Sequence, residues 1–290
     1  MKRDSLVQWL DEALGVRQVE GDDWLQILPV VYETPHWRNF TEPEWAPRGN
    51  GLMVRGSAEV DHVVTCVFPS DAILKKLAPR TFVFTEHPID DAEGDVFAPI
   101  PQRTFERLQR DGISIYTAHA PLDHHPELSP SALIAEALGL TQRQVFLPMA
   151  RGLPGGAAVV GDTTLSVAAL TTALRTTLGA EIPVRLVNAA REAAGRVAVV
   201  AGGGADPSNL EAALALGATT FITGNAASPC ALPFVSAVRE KFLAQAKAAQ
   251  VNVIDGTHYG TEKPAQLAMV KWFAARDVKA SFVPGKPERD

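Results

Sequence analysis

Three short polar clusters carry the residue types that bind metal ions and move protons: Glu86-His87, His119 with Asp123, and His258 with Glu262. Each follows a short apolar run, at residues 82–85, 113–117 and 251–254. In open parallel α/β sheets, ligands bind in the crevice beyond the carboxyl ends of the strands. If the three runs are parallel strands, the clusters can meet in one crevice. Carboxylates gathered in a partly buried place repel, so one must take a proton or find a counter-charge. The set Glu86, His87, Asp123, His258 and Glu262 brings three carboxylates and two imidazoles. Two divalent ions would leave about one positive charge to hold hydroxide or an anionic substrate. Five side chains cannot fill two separate coordination shells. A bridging carboxylate and bound water are then required, which points to a two-metal site with open positions. His119 and His125 are the candidates for proton transfer, because an imidazole titrates near neutrality.

The C-terminal pair has a local rationale. His258 is expected in the loop after a strand and Glu262 in the first turn of the next helix, where an acidic side chain is favoured. Taken singly, each cluster also reads as a helix cap or a solvated loop, and Asp123-His124-His125-Pro126 as a turn. A rival motif is Gly202-Gly203-Gly204, set between a strand and a helix like a phosphate cradle. It matches neither G-x-G-x-x-G nor a G-K-[ST] loop, and Asp206 puts negative charge where phosphate needs positive potential. No G-x-S-x-G elbow supports a serine nucleophile. Cys66 and Cys230 have no C-x-x-C partner, and a disulfide between them is not expected.

The elements that position these residues alternate. Leu6, Trp9, Leu10 and Leu14 form a helical stripe stopped by Gly15. Residues 24–51, rich in Trp, Pro and Gly, read as an irregular segment packed by its own aromatics. Strands are expected at 63–68, 81–85 and 113–117, with helices at 70–78 and 104–110 and another opened by Ser129-Pro130. Further on, helices are expected at 166–178, 206–216, 228–250 and 261–276. The strands between them fall at 184–187, 197–200, 219–223, 251–255 and near 281. Strands separated by helices imply crossovers and largely parallel sheets, hence an α/β fold. The expected organisation is an N-terminal extension with one helix (1–50), a metal-site lobe (51–129 plus 251–290) and a second α/β lobe (130–250).

The bulk properties agree. The chain has 290 residues, 46% hydrophobic and 21% charged, with a net charge of −6. That suits a globular protein of one or two domains and gives no electrostatic footprint for nucleic acid or an anionic membrane. No apolar run reaches the roughly 18 residues of a membrane span. Asp4, Asp11 and Glu12 interrupt any signal-peptide core, so a cytoplasmic setting is expected.

Several stretches resemble the dinuclear-metal-centre family known as GTP cyclohydrolase 1 type 2-like, or Nif-three-like. They are Asn50-Gly51-Leu52, Phe84-Thr85-Glu86-His87-Pro88, His119-Ala120-Pro121-Leu122-Asp123, Ala201-Gly202-Gly203-Gly204, Thr220-Phe221-Ile222-Thr223-Gly224 and His258-Tyr259-Gly260-Thr261-Glu262. Their order and spacing match from Asn50 onward, and the first fifty residues show no clear match. The resemblance implies two interlinked α/β lobes, a ring-like homohexamer and a metal pair held by Glu86, His87, Asp123, His258 and Glu262. It places His119 beside the metals as a supporting or proton-transfer group. Two positions depart from the family pattern. Glu86 replaces the first His of a His-His pair, which favours Mn, Mg or Fe over Zn and leaves either two ions or a single tight one. Asn225 stands where the family often has Glu. The expected function is a metal-dependent hydrolase that activates water against a small nucleotide-like or phosphorylated substrate. The alternative is a non-catalytic, metal- or nucleotide-binding oligomeric scaffold.

Overall fold

The computed structural model describes residues 1–19, 21–91, 97–148, 155–227 and 233–285. The chain opens with helix α1 (Arg3–Leu14), which buries Leu6, Leu10 and Leu14 and ends on left-handed Gly15 at φ 64°. Trp9, on the same stripe in the sequence, faces solvent instead. The segment expected to be irregular holds an eight-residue helix, α2 (Trp24–Val31), with Pro29 inside it. Proline lacks the N–H for an intrahelical bond, and the helix stops two residues later. A single 3-10 turn, His36–Asn39, follows.

The first sheet is built from β1 (Gly51–Val54), β2 (His62–Cys66), β3 (Thr81–Thr85) and β6 (Ser114–Thr117). A separate antiparallel ribbon is formed by β4 (Asp90–Asp91) and β5 (Phe97–Ala98). Strand β3 is parallel to both β2 and β6, and β1 closes one edge antiparallel to β6. Every residue of β3 and β6 is buried, as expected for strands covered on both faces. Connecting helices are α3 (Asp71–Leu74), capped by Ser70, α4 (Gln102–Arg110) and the single turn α5 (Ala120–Asp123). The helix expected over 70–78 is thus a single turn.

Helix α6 (Pro130–Ala137) starts where Ser129-Pro130 predicts, with the Ser129 hydroxyl accepting from the Ala132 N–H. The second sheet has the order β7 (Thr141–Phe146), β8 (Ala158–Asp162), β10 (Arg196–Val200), β11 (Thr220–Thr223), β12 (Asn252–Asp255) and β9 (Arg185–Asn188). Its centre, β10-β11-β12, is parallel, and its flanking pairs are antiparallel. The remaining helices are α7 (Val167–Leu178), α8 (Pro207–Ala215), α9 (Pro233–Ala248) and α10 (His258–Ala274). Residues 228–232, expected at the start of α9, and Cys230 among them, lie outside the described residues.

After α10 the chain returns to the first sheet as β13 (Ala280–Phe282), parallel to β2. Strand β12, expected with the first lobe, pairs with β11 in the second sheet instead. Its fully buried Asn-Val-Ile-Asp sequence fits the middle of that sheet. Helix α10 packs on β2 and β13 of one lobe and on α6 and α7 of the other. One apolar cluster joins Val83 and Ile115 of the first sheet to Val197, Ile222 and Ile254 of the second. The expected fold is therefore borne out: an α/β protein of two linked sheets. The N-terminal residues are part of it, because Leu6 and Leu10 share a core with Val63 and Phe82. Among the described residues, no helix is long and apolar enough to cross a membrane.

Candidate metal centre

The site is assembled from the chain just beyond the carboxyl ends of strands from both sheets. Glu86 and His87 follow β3 and are fully buried. His119 follows β6 and caps the turn that carries Asp123. Gly202 follows β10, Asn225 follows β11 and His258 follows β12. His258 lies inside the helix rather than in the preceding loop. It is the first residue of α10, so Glu262 sits one full turn later on the same face. Thr257 caps the helix at φ 61°, a region rarely adopted by a β-branched residue. The Asp255 carboxylate holds it there by accepting from the Thr257 N–H at 2.9 Å.

Glu262 is the hub. One carboxylate oxygen accepts from His87 Nε2 at 2.7 Å and the other from His258 Nε2 at 2.9 Å. The ligand atoms of His87, His258 and Glu262 lie within 4.8 Å of one another, the compactness a single cation requires. Burial alone would raise the Glu262 carboxyl, but the two imidazoles hold it well below its usual range. Burial drives His87 down to about 4. That neutral imidazole is the form that ligates metal.

Glu86 and Asp123 lie outside that compact group but feel the charge of Glu262. Burial, then the charges of Glu262 and Asp123, push Glu86 well above the ordinary carboxylate range. The Gln266 side chain, one turn beyond Glu262, donates to one Glu86 oxygen at 3.3 Å. The other Glu86 oxygen and His87 Nδ1 are buried with no hydrogen-bond partner, an expensive condition for polar atoms. Asp123, partly open to the cavity, rises to about 7 through burial and Glu262, against the opposing pull of His119. The compact group of His87, His258 and Glu262 could hold a divalent cation, and Glu86 and Asp123 act on it electrostatically. A cation would replace the protons that now bridge Glu262 to the two rings.

His119 is held by a residue the sequence did not single out. Asp22, buried in the N-terminal segment, accepts from His119 Nδ1 at 3.0 Å, from the Ala120 N–H and from Asn50 Nδ2. Burial disfavours the charged ring, but Asp22 more than reverses this and lifts His119 to about 10. His119 Nε2 lies 3.7 Å from Asp123. Trp24 covers the group, its ring 4.7 Å from His87 and 5.9 Å from His119. Phe68 stacks on His87 with ring centroids 4.3 Å apart. Asp22 and Trp24 come from a stretch with no readable periodicity. Gln266 was findable, since it lies four residues from Glu262 on one helix.

His125 is not brought to this place. Its Nδ1 accepts from the backbone N–H groups of Glu127 and Leu128, and it lines a separate depression beside Gly15. Its neighbour His124 lines the cavity of about 450 Å³ that opens over the cluster, together with His119, Asp123, His258 and Glu262. The triple glycine is not a phosphate cradle. Asp206 occupies the α8 N-terminus by accepting from the Ser208 N–H. Gly202 serves the cluster instead. At φ 62°, a Cβ on it would stand 2.0 Å from Glu262 Oε1.

The profile of the Duf34/NIF3 (NGG1p interacting factor 3) family matches residues 40–285. The chain belongs to the Duf34/NIF3 family. Within it, the chain is 27% identical over 246 residues to the "GTP cyclohydrolase 1 type 2 homolog" of Escherichia coli K12, covering 83% of this chain and 90% of that protein. It is 35% identical over 164 residues to the protein of the same name from Halobacterium salinarum, covering 55% and 59%. Among solved structures, protein ybgI superposes over all of both chains with a TM-score of 0.71 at 22% identity. TTHA1606 from Thermus thermophilus superposes with a TM-score of 0.62 at 25% identity, over 97% of each chain. Asp22 and Trp24 lie outside the matched family region.

Proposed function

We propose that this NIF3-family protein is a metal-dependent hydrolase with a dinuclear centre, acting on a small nucleotide-like or phosphorylated molecule. The observation that carries the reading is the pairing of one buried carboxylate, Glu262, with two imidazoles, with Glu86 and Asp123 crowded beside it. His87, His258 and Glu262 would hold one ion, and Glu86 and Asp123 would extend the donor set to a second. Divalent ions bound there supply a water of lowered pKa and polarise the group under attack. The oxygen-rich set favours Mn, Mg or Fe over Zn. His119, charged at neutral pH and fixed by Asp22, turns Nε2 toward Asp123 and the cavity. It is placed to donate a proton to a leaving group. Trp24 shields His87 and His119 from water. A cytoplasmic, ring-forming homohexamer belongs to the same reading.

Metal analysis of protein purified without chelator tests it, followed by reconstitution with Mn and turnover screening against nucleotides and phosphate esters. Near-stoichiometric metal and turnover lost in His258→Ala are expected. Failure to take up any divalent ion would sink the reading.

A second reading is a metal-binding scaffold without turnover. Asn225 favours it, because an amide stands where the family often has a carboxylate able to accept a proton. Tight metal occupancy with no turnover on any substrate class is the outcome it requires.

A further inference from the structure

Helix α10 carries another buried polar side chain on the turn after Glu262. Gln266 is fully buried, and its helix neighbours Ala265, Met269 and Phe273 pack into an apolar core with Phe82 and Phe84. Leucine or methionine would suit such a place better, because a buried amide must find partners for its N–H groups and its carbonyl or lose their hydration without return. Gln266 Nε2 finds one, donating to Glu86 Oε2 at 3.3 Å. Gln266 Oε1 is buried without a partner among the described residues. The amide thus weakens the core it sits in, and its one side-chain hydrogen bond is to Glu86.

Both ends of this contact are held through the backbone. Thr65 Oγ1 of β2 donates to the Gln266 main-chain carbonyl at 3.0 Å, fastening that turn of α10 to the first sheet. Strand β2 pairs in parallel with β3, and Glu86 follows β3 directly. On either side of Glu86, Thr85 Oγ1 and the His87 N–H both donate to the Val67 carbonyl, at 2.9 and 3.2 Å. With its main chain fixed and Oε2 engaged, the Glu86 carboxylate has little freedom to turn. Its Oε1 is the oxygen left without a partner among the described residues.

We propose that Gln266 is a positioning residue: it fixes Glu86 so that Oε1 serves as a hard oxygen donor, and so sets the preference of the centre for Mn over Zn. This rests on the metal-dependent hydrolase reading and deepens it, since Glu86 has an ion to meet only if the cluster holds one. Hydrogen bonds to a ligating carboxylate orient it, and losing one typically weakens metal binding by roughly 10–100-fold. Oxygen donors suit Mn and Mg, whereas imidazoles suit Zn. Gln266 acts only through Glu86 and is not itself a ligand.

Equilibrium dialysis with Mn on full-length protein tests this in the wild type, Gln266→Met, Glu86→Ala and the double variant. Gln266→Met keeps the length and bulk of the side chain and removes the donor. It is expected to weaken Mn binding about tenfold or more, and competition between the two ions should move toward Zn. In the Glu86→Ala background the same change should alter Mn affinity by less than about threefold, because no carboxylate is left to position. If Gln266→Met does not fold, Gln266→Asn, whose amide is one methylene too short to reach Glu86, is read by the same criteria. Unchanged Mn affinity, an unchanged preference between Mn and Zn, or an equal loss with and without Glu86 would overturn the proposal, the last because it marks a general packing defect. A wild type that takes up no divalent ion overturns the hydrolase reading and this one together. A wild type that loads normally but is indifferent to Gln266 overturns this one alone.

Discussion

Asp22 accepts the Nδ1 proton of His119 at 3.0 Å, joining a segment outside the family-matched region to a histidine of the most recognisable motif. The carboxylate also takes the Ala120 N–H and Asn50 Nδ2, so it fixes the ring and the start of the turn that carries Asp123.

Substituting Asp22 with Asn should lower the His119 pKa from about 10 toward the ordinary imidazole value near 6.5. Histidine NMR titration checks this. The signs for stability follow from both partners. His119 is raised, so its contribution is full below about 6.5 and is lost as pH climbs through about 10. Asp22 is depressed, so its contribution is present above the usual carboxylate range near 3.9 and is lost below it. The pair therefore stabilises the fold most between those limits. Asp22→Asn should cost on the order of 3 kcal/mol there, with a smaller cost at pH 10, by denaturant unfolding. A cost that stays constant from pH 5 to pH 10 would refute the linkage.

Glu262→Gln should reduce metal affinity by at least about tenfold, because the hub loses its charge while keeping its shape. Equilibrium dialysis with Mn reads the loss. Wild-type affinity in this variant would remove Glu262 from the donor set.

Gly202→Ala adds a Cβ at φ 62°, 2.0 Å from Glu262 Oε1. Because the helix that carries Glu262 is held between the first sheet and helices α6 and α7, the carboxylate must turn away from at least one histidine. The expected result is lower metal content together with a stability loss of about 1–3 kcal/mol. Retained metal at wild-type stability would show that the contact relaxes freely.

Glu86→His restores an imidazole at the position where the family pattern has one. The softer donor should shift preference from Mn toward Zn, measured by competition between the two ions. It also removes a buried carboxylate whose charge is disfavoured by burial and by Glu262 and Asp123. The variant should therefore be at least as stable as the wild type without metal.

The parts of this protein legible in the sequence are those where one element dictates its own form. Buried runs such as residues 81–85 read as strands because every position is apolar or β-branched and both faces are covered. Ser129, Ser166 and Asp206 announce their helices because a side-chain acceptor is needed there. The gathering of polar clusters at strand ends follows from parallel pairing of β3 with β6 and of β11 with β12. The start of α10 falls earlier than expected because Thr257, with its positive φ, gives no sequence signal for a cap pinned by Asp255. The β7 strand is not readable because its first five residues are exposed and carry no alternation of apolar side chains. Asp22 and Trp24 are invisible as site residues, since their role depends only on tertiary contacts with His87 and His119.

The chain order of the hub and its partners has a biosynthetic consequence. His87 lies 175 positions before Glu262, and Asp22 is made earlier still. A ribosome must release the chain through Glu262 before the two imidazoles can share their carboxylate. A product that stops short of Glu262 should thus lack the carboxylate that the proposed cation site shares between His87 and His258.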